Sequence, residues 1–361
     1  MTLEIAAAAV GAGARSLVAS AGGAMEGRLA AAGAELIRLP MDAKDPLSIA
    51  LNASRLRRVV RAENVKLVHV RSRAPAFSAL WAAKAANVPL VTTYHGLYAG
   101  HSPMKRWYNS VMTKGTLVMA GSQFVAAHIA AEHHVAAYRI WAAPEGVDLS
   151  VFDPAAVDTA RVESIRREWN LDPQDRRQVL LLAARMTRLK GHRLAIEALA
   201  ALKRRDVVLI LAGRPGRPAY ESELRDIARR AGLAEQVRFV GSVADMPAAY
   251  LAADLVMAPS LVPESFGRTV AEAGAMERPV LAANLGGPAE IVEHGLTGWL
   301  VAPADRSAWA RALELALATH SGPLAAMGAA ARERVARFYS LDRMCRATFR
   351  GYLEAIELRN K

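Results

Sequence analysis

Four charged side chains in the second half of the chain stand at spacings that suit a single phosphorylated ligand. Glu264 and Glu272 bracket "ESFGRTVAE", a Ser-Phe-Gly turn that runs into a helix. Upstream, Arg185 and Lys190 occupy "RMTRLKG", between an apolar run and another helix. Arginine forks two phosphate oxygens and lysine supplies a compact charge, a pair suited to a diphosphate. A helix start adds amides directed at an anion, and Gly267 allows backbone to approach it closely. A carboxylate accepts two hydrogen bonds from a vicinal diol, so Glu272 suits ribose and Glu264 a sugar. Taken separately, the acids read equally well as helix caps and the cations as solvated surface groups. Taken together, they enclose a space for a diphosphate between the amides of Phe266 through Thr269 and the two cations.

Such an arrangement requires elements that bring the two stretches to one edge. Short β-rich runs alternate with alanine-rich helical stretches along the whole chain, the pattern of parallel sheets wrapped by helices. Strands are expected at "RSLVAS", "AELIRLP", "VKLVHVRS", "PLVTTYHG", "TLVMAGS" and "IWAAPEG" in the first half. In the second they fall at "QVLLLAAR", "VVLILAGR", "VRFVGSV", "LVMAPS", "PVLAAN" and "GWLVAP". Arg185 and the 264–267 loop both follow such strands, and ligands of open α/β sheets bind beyond the carboxyl ends of strands. Asp45-Pro46 is a helix start, a capping acid with proline at the first helical position. The stretch "VDLSVFDPAAVDTARVES" is expected to connect two domains, and "SLDRMCRATFRGYLEAIELRN" to form a terminal helix.

At 361 residues with 53% apolar and 22% charged residues, the chain can bury two cores and is not disordered. Cys345, the single cysteine, excludes a disulfide framework and a zinc cluster. The opening "MTLEIAAAAVGAGARSLVAS" carries Glu4 and no basic residue ahead of its apolar part, so it does not read as a secretion signal. Its "VGAGARS" lacks the third glycine of a dinucleotide-binding loop, and the alanines before it favour helix over strand. The net charge of +12 is denser in the first 150 residues. No basic tail or aromatic-laced RNA motif accompanies it, which leaves anionic lipid and phosphorylated substrates as its partners.

The Arg-x4-Lys-Gly of "RMTRLKG", the Glu-x7-Glu of "ESFGRTVAE" and the following "GGPAEIVEHGLTGWLVAP" resemble the retaining family 4 glycosyltransferases, whose fold is GT-B. "PEGVDLSVFDP", "VRFVGSVADMPAAYLAADLVMAPS" and "VKLVHVRSRAPAFSALWAAKAANVPLVTTYHG" look like that family's intervening segments, so the likeness covers nearly the whole chain. It implies an α/β architecture of two Rossmann-like domains facing a central cleft, with the C-terminal helix returning to the first. The implied domains are 1–150, 151–338 and the returning helix 339–361. It assigns Arg185 and Lys190 to the donor diphosphate, Glu264 to the sugar hydroxyls with the Ser265, Phe266 and Gly267 backbone beside it, and Glu272 to ribose. The backbone around Val240, Gly241 and Ser242 faces the base, and His95 of "TYHG" stands near the transferred sugar. Two departures from the family pattern are visible. A first strand and glycine-rich loop are expected ahead of the helix at which this chain opens, and Glu145 occupies a position that is commonly asparagine.

The expected reaction transfers a sugar from a nucleotide-diphosphate donor, UDP- or GDP-linked, to an acceptor hydroxyl with retention. No two aspartates stand two apart, so the metal-chelating Asp-x-Asp signature is missing. Arg185, Lys190 and the helix start can supply that charge, and neither a metal nor another cofactor is expected. Arg55, Arg57, Arg58 and Arg61 crowd one helix, and "HSPMKRWYNSVMTKG" mixes Lys105, Arg106 and Lys114 with Trp107, Tyr108 and Met112. Basic residues with interfacial aromatics suit an anionic membrane surface as readily as a solvated helix face over core aromatics. The expectation is therefore a cytoplasmic monomer, peripheral on the inner membrane face, that uses a saccharide or lipid-linked saccharide of lipopolysaccharide or exopolysaccharide assembly. A nucleotide-sugar epimerase fits the paired motifs less well. A silent sugar-nucleotide-binding protein is the alternative if the opening strand and loop are lacking, and nucleic-acid binding is the weakest reading.

Overall fold

The computed structural model describes residues 1–98, 102–172 and 174–360, which divide into two compact units. The first comprises Met1–Glu145 and Leu341–Lys361, the second Gly146–Ser340.

In the first unit every strand is parallel to its neighbours. β1 (Leu17–Ser20) pairs with β2 (Glu35–Arg38), and β3 (Val68–Val70), β4 (Leu90–Tyr94), β5 (Leu117–Ala120) and β6 (Ile140–Ala142) form a second sheet in that order. Alternation along these strands feeds two cores. Leu90, Tyr94, Val118 and Ala120 pack on one side. Val91, Leu117 and Met119 face the other, where they meet Ala355 of the Leu341–Asn360 helix. That helix is further tied by Tyr352, whose hydroxyl lies 2.7 Å from His69 Nδ1, and by the Trp141 indole donating to Ala347 O at 2.8 Å. The alanine-rich start is helical over Thr2–Gly11, so "VGAG" closes a helix and follows no strand. Asp45 caps the Pro46–Ala62 helix, accepting from the Ser48 amide at 2.8 Å.

The second unit holds a six-stranded parallel sheet. Its strands are β7 (Gln178–Ala183), β8 (Val207–Ala212), β9 (Val237–Gly241), β10 (Leu255–Ala258), β11 (Val280–Ala283) and β12 (Gly298–Val301). Their spatial order is β12-β11-β10-β7-β8-β9, the doubly-wound arrangement in which the chain returns to the centre and reverses direction between β7 and β10. Helices cover both faces, so the strands are continuous apolar runs and not half-polar ones. Val179 and Leu181 face one core, Leu180 and Leu182 the other.

One expectation is corrected. Residues 147–164 do not bridge the units: Val147 is buried, and Leu149, Phe152, Val157 and Val162 pack with it on one core of the second unit. The chain passes between units at Glu145/Gly146 and again at Ser340/Leu341. The segment carries enough spaced apolar residues to be drawn into the nearer core, and its polar punctuation masks them. Among the described residues no helix is long and apolar enough to cross a membrane.

Candidate active site

The site is built where the strand order reverses. β7 and β10 are neighbours, and the loops leaving their carboxyl ends carry the two charged motifs. After β7, Met186 is buried and its amide donates to Arg214 O at 3.0 Å, which fixes the loop while the neighbouring Arg185 stays exposed. Arg185 makes no hydrogen bond or ion pair among the described residues. A 3-10 turn, Arg188–Lys190, then leads to Gly191 at φ 73°, the cap of the His192–Leu202 helix. A Cβ at Gly191 would stand 1.9 Å from Pro259 O, so glycine is what lets the two loops touch. Leu261 N donates to Leu189 O at 2.8 Å and closes that contact.

Across it, Lys190 Nζ lies 2.6 Å from Glu264 Oε2, with the two side chains 28% and 23% exposed. The other carboxylate oxygen accepts from the buried Ser260 hydroxyl. Glu264 is therefore held from both loops and still reached by solvent. Ser265 is half-buried. Phe266 turns its ring into the core, 5.8 Å from that of Tyr339, so only its backbone can serve a ligand. Gly267, at φ 103°, caps the Arg268–Ala275 helix. Thr269 Oγ1 donates to Ala183 O, the last residue of β7, at 2.9 Å, which aligns this helix start with the Arg185 loop. The first amides of a helix lack internal partners and point outward, the feature anions use.

Glu272 sits deeper, with its side chain 12% exposed. Tyr250, itself fully buried, donates to Glu272 Oε2 at 3.0 Å, and Arg268 lies 3.6 Å from Oε1. Burial pushes the Glu272 carboxyl above its usual range, while Tyr250 and Arg268 favour the ionised form. The Tyr250 phenol is pushed well up, by burial first and by the Glu272 charge second. Val240 and Gly241 end β9, and Gly241 O accepts from Gly213 N at 2.6 Å. Ser242 Oγ accepts from Arg214 Nε at 3.0 Å, which links this third loop to the one after β8.

The second unit thus gathers Arg185, Lys190, Glu264, Ser265, Phe266, Gly267, Glu272, Val240, Gly241 and Ser242 along one sheet edge. His95 belongs to the first unit, just after β4, where its Nδ1 lies 3.5 Å from Glu145 Oε1. The unusual acid at 145 therefore has a concrete neighbour. Three supporting residues escape sequence reading. Tyr250 hides in an apolar helix, Thr269 reads as an ordinary first-turn residue, and Ser260 only signals itself by standing four residues before Glu264.

The description "Glycosyltransferase Family 4" matches residues 1–151, and "Glycosyl transferases group 1" matches 163–334. A glycosyltransferase of Rickettsia africae superposes with a TM-score of 0.90 at 30% identity, over 99% of this chain and 94% of that one. The chain belongs to glycosyltransferase family 4. Its likeness to the Rickettsia structure carries the GT-B fold with it. This family 4 chain is also 33% identical over 299 residues to a D-inositol 3-phosphate glycosyltransferase of Salinispora tropica. That match takes in 76% of this chain but 61% of the relative, so the chain spans less than two-thirds of the relative's length. The fold is shared at 24% identity with an Anabaena protein, HepE, solved in complex with UDP-glucose, with a TM-score of 0.80 over 96% and 93% of the two chains.

Proposed function

We propose that this family 4 chain is a retaining hexosyltransferase that uses a nucleoside-diphosphate sugar, UDP- or GDP-linked. The observation that carries the reading is the Lys190–Glu264 contact, which joins the loops beyond β7 and β10 at the reversal of strand order. A donor entering there displaces part of that contact. Lys190 and Arg185 then turn to the diphosphate beside the Gly267–Thr269 amides, and Glu264 accepts from the sugar hydroxyls that replace the lysine. Glu272 accepts from the ribose diol, and the backbone at Val240–Ser242 lies against the base. His95 is assigned to the transferred sugar on the family likeness alone.

The anomeric C–O bond breaks with its electron pair moving to the diphosphate oxygen, where the cations and amides stabilise the growing charge. The acceptor oxygen bonds to the anomeric carbon on the same face, and its proton passes to the departing phosphate. Two side-chain cations and a helix start supply the charge that a metal would otherwise bring, so we assign the reaction no metal and no cofactor. The acceptor is a saccharide or lipid-linked saccharide of lipopolysaccharide or exopolysaccharide assembly, met by a monomer at the cytoplasmic face of an anionic membrane. A second acceptor, inositol 3-phosphate, is favoured by the likeness to the Salinispora enzyme. Incubation with UDP-, GDP- and ADP-sugars and both acceptor classes, with product anomers read by NMR, tests the reading. An α-linked product from an α-linked donor without added metal is expected; an inverted product, or transfer abolished by a chelator, contradicts it.

A further inference from the structure

The first unit carries a groove that the donor site does not use. The Arg73–Ala86 helix contributes Phe77, Trp81 and Lys84 to one wall, and the Pro103–Ser110 helix contributes Trp107 to the other. The hollow measures about 500 Å³, and a second of about 420 Å³ continues it past shared Lys84, Lys114 and Arg139. Phe77 and Trp107 are stacked, with centroids 5.2 Å apart, and Trp81 lies 6.3 Å from Phe77. This is no closed core: Trp81 is 46% and Trp107 65% exposed, and Met104, one turn before Trp107, is 79% exposed. Of the basic-aromatic stretch that the sequence singles out, His101 lies outside the described residues.

Charge identifies the occupant. Lys84 and Lys114 are exposed, and their side-chain amines form no hydrogen bond or ion pair among the described residues. Arg139 braces the floor by donating to Thr113 O and Gly115 O. Among the described residues no carboxylate lines either hollow. A second copy of a chain with net charge +12 would set these same amines against themselves across a two-fold contact. Cations over a bed of tryptophan and aliphatic groups, with an outward methionine, match the headgroup–acyl boundary of an anionic bilayer.

We propose that this groove seats an anionic phospholipid of the membrane surface, its phosphate between Lys84 and Lys114 and its upper acyl carbons against Trp81 and Trp107. The proposal deepens the membrane part of the reading above and makes one groove, not the arginine-rich Pro46–Ala62 helix, the specific contact.

Co-sedimentation of the full chain with phosphatidylcholine vesicles, with and without phosphatidylglycerol, tests it. Binding is expected only with phosphatidylglycerol. Lys84→Gln/Lys114→Gln lowers partitioning roughly thirtyfold, at about one surface-charge increment per lysine. Trp107→Ala lowers it about tenfold through lost apolar burial. Arg229→Gln/Arg230→Gln, which removes the same charge from an exposed helix end of the other unit, changes it by roughly twofold or less. Equal binding to neutral vesicles, equal losses in the two double variants, or displacement of the chain from vesicles by a short single-stranded oligonucleotide overturns it. Thermal protection by UDP, followed in the same variants, reports the donor site separately, so failure of the groove and failure of the transferase reading are distinguishable.

Discussion

The carboxyl edge of the second unit's sheet and the end of β4 in the first unit carry the proposed chemistry in different ways. In the second unit the functional side chains other than Arg185 are anchored by neighbours: Lys190 on Glu264 across the two loops, Glu264 on Ser260, Glu272 on Tyr250, and the helix start on β7 through Thr269. His95 has one carboxylate, Glu145, at 3.5 Å. A pre-arranged anion site suits a ligand part that is common to many donors, the nucleoside diphosphate. A lightly held histidine suits the end of the reaction that varies between enzymes, the sugar and its acceptor.

The sharpest way to break this contrast is at the loop contact. Gly191→Ala places a Cβ 1.9 Å from Pro259 O at φ 73°, and about 3 kcal/mol of stability is expected to go with it. Gly232→Ala, at φ 71° with nothing within 4 Å, is expected to lose only about 1 kcal/mol in the same denaturation experiment. Equal losses would mean that backbone conformation, and not contact between the loops, is what Gly191 serves.

Lys190→Ala comes next. It removes a charge proposed to tighten on the leaving diphosphate, so kcat/KM is expected to fall about a hundredfold, with Arg185→Ala tenfold or more. Wild-type kinetics for Lys190→Ala would remove it from the mechanism.

Tyr250→Phe probes the ribose acid and should raise the donor KM roughly tenfold with kcat little changed. Its pH signature is specific. In the proposed reading Glu272 binds ribose as the carboxylate; burial already holds its pKa up, and the tyrosine hydroxyl opposes that shift. Without the hydroxyl the pKa rises further, so the acidic limb of the donor KM profile moves to higher pH. An unmoved limb with a raised KM would mark Tyr250 as packing only.

The smallest effect belongs to the first unit. Glu145→Gln keeps the shape of the His95 neighbour and is expected to change kcat about threefold or less, in line with a partly exposed pair. Donor protection against heat should be unchanged, and a large loss of donor affinity would erase the distinction between the two regions.

The doubly-wound sheet was legible because its strands are buried on both faces and read as unbroken apolar runs such as "VLLLA" and "VVLILA". The charged motifs were legible because a strand end, a turn and a helix start succeed one another within a few residues of each. Tyr250, Thr269 and Ser260 were not legible, since a buried hydroxyl in an apolar helix carries no local mark of the acid it serves across the sheet. The packing of residues 147–164 was missed for a related reason: aspartates and prolines gave that segment the look of a linker, while its apolar side chains, irregularly spaced, show their common face only when folded.

The central claim is that the loops beyond β7 and β10 form one anion site around Lys190. Thermal unfolding with and without UDP or GDP, in wild type and in Arg185→Ala/Lys190→Ala, tests it most directly. The account predicts a clear rise in Tm for the wild-type chain with at least one of the two and a rise largely abolished in the double variant; equal protection of both proteins would contradict it.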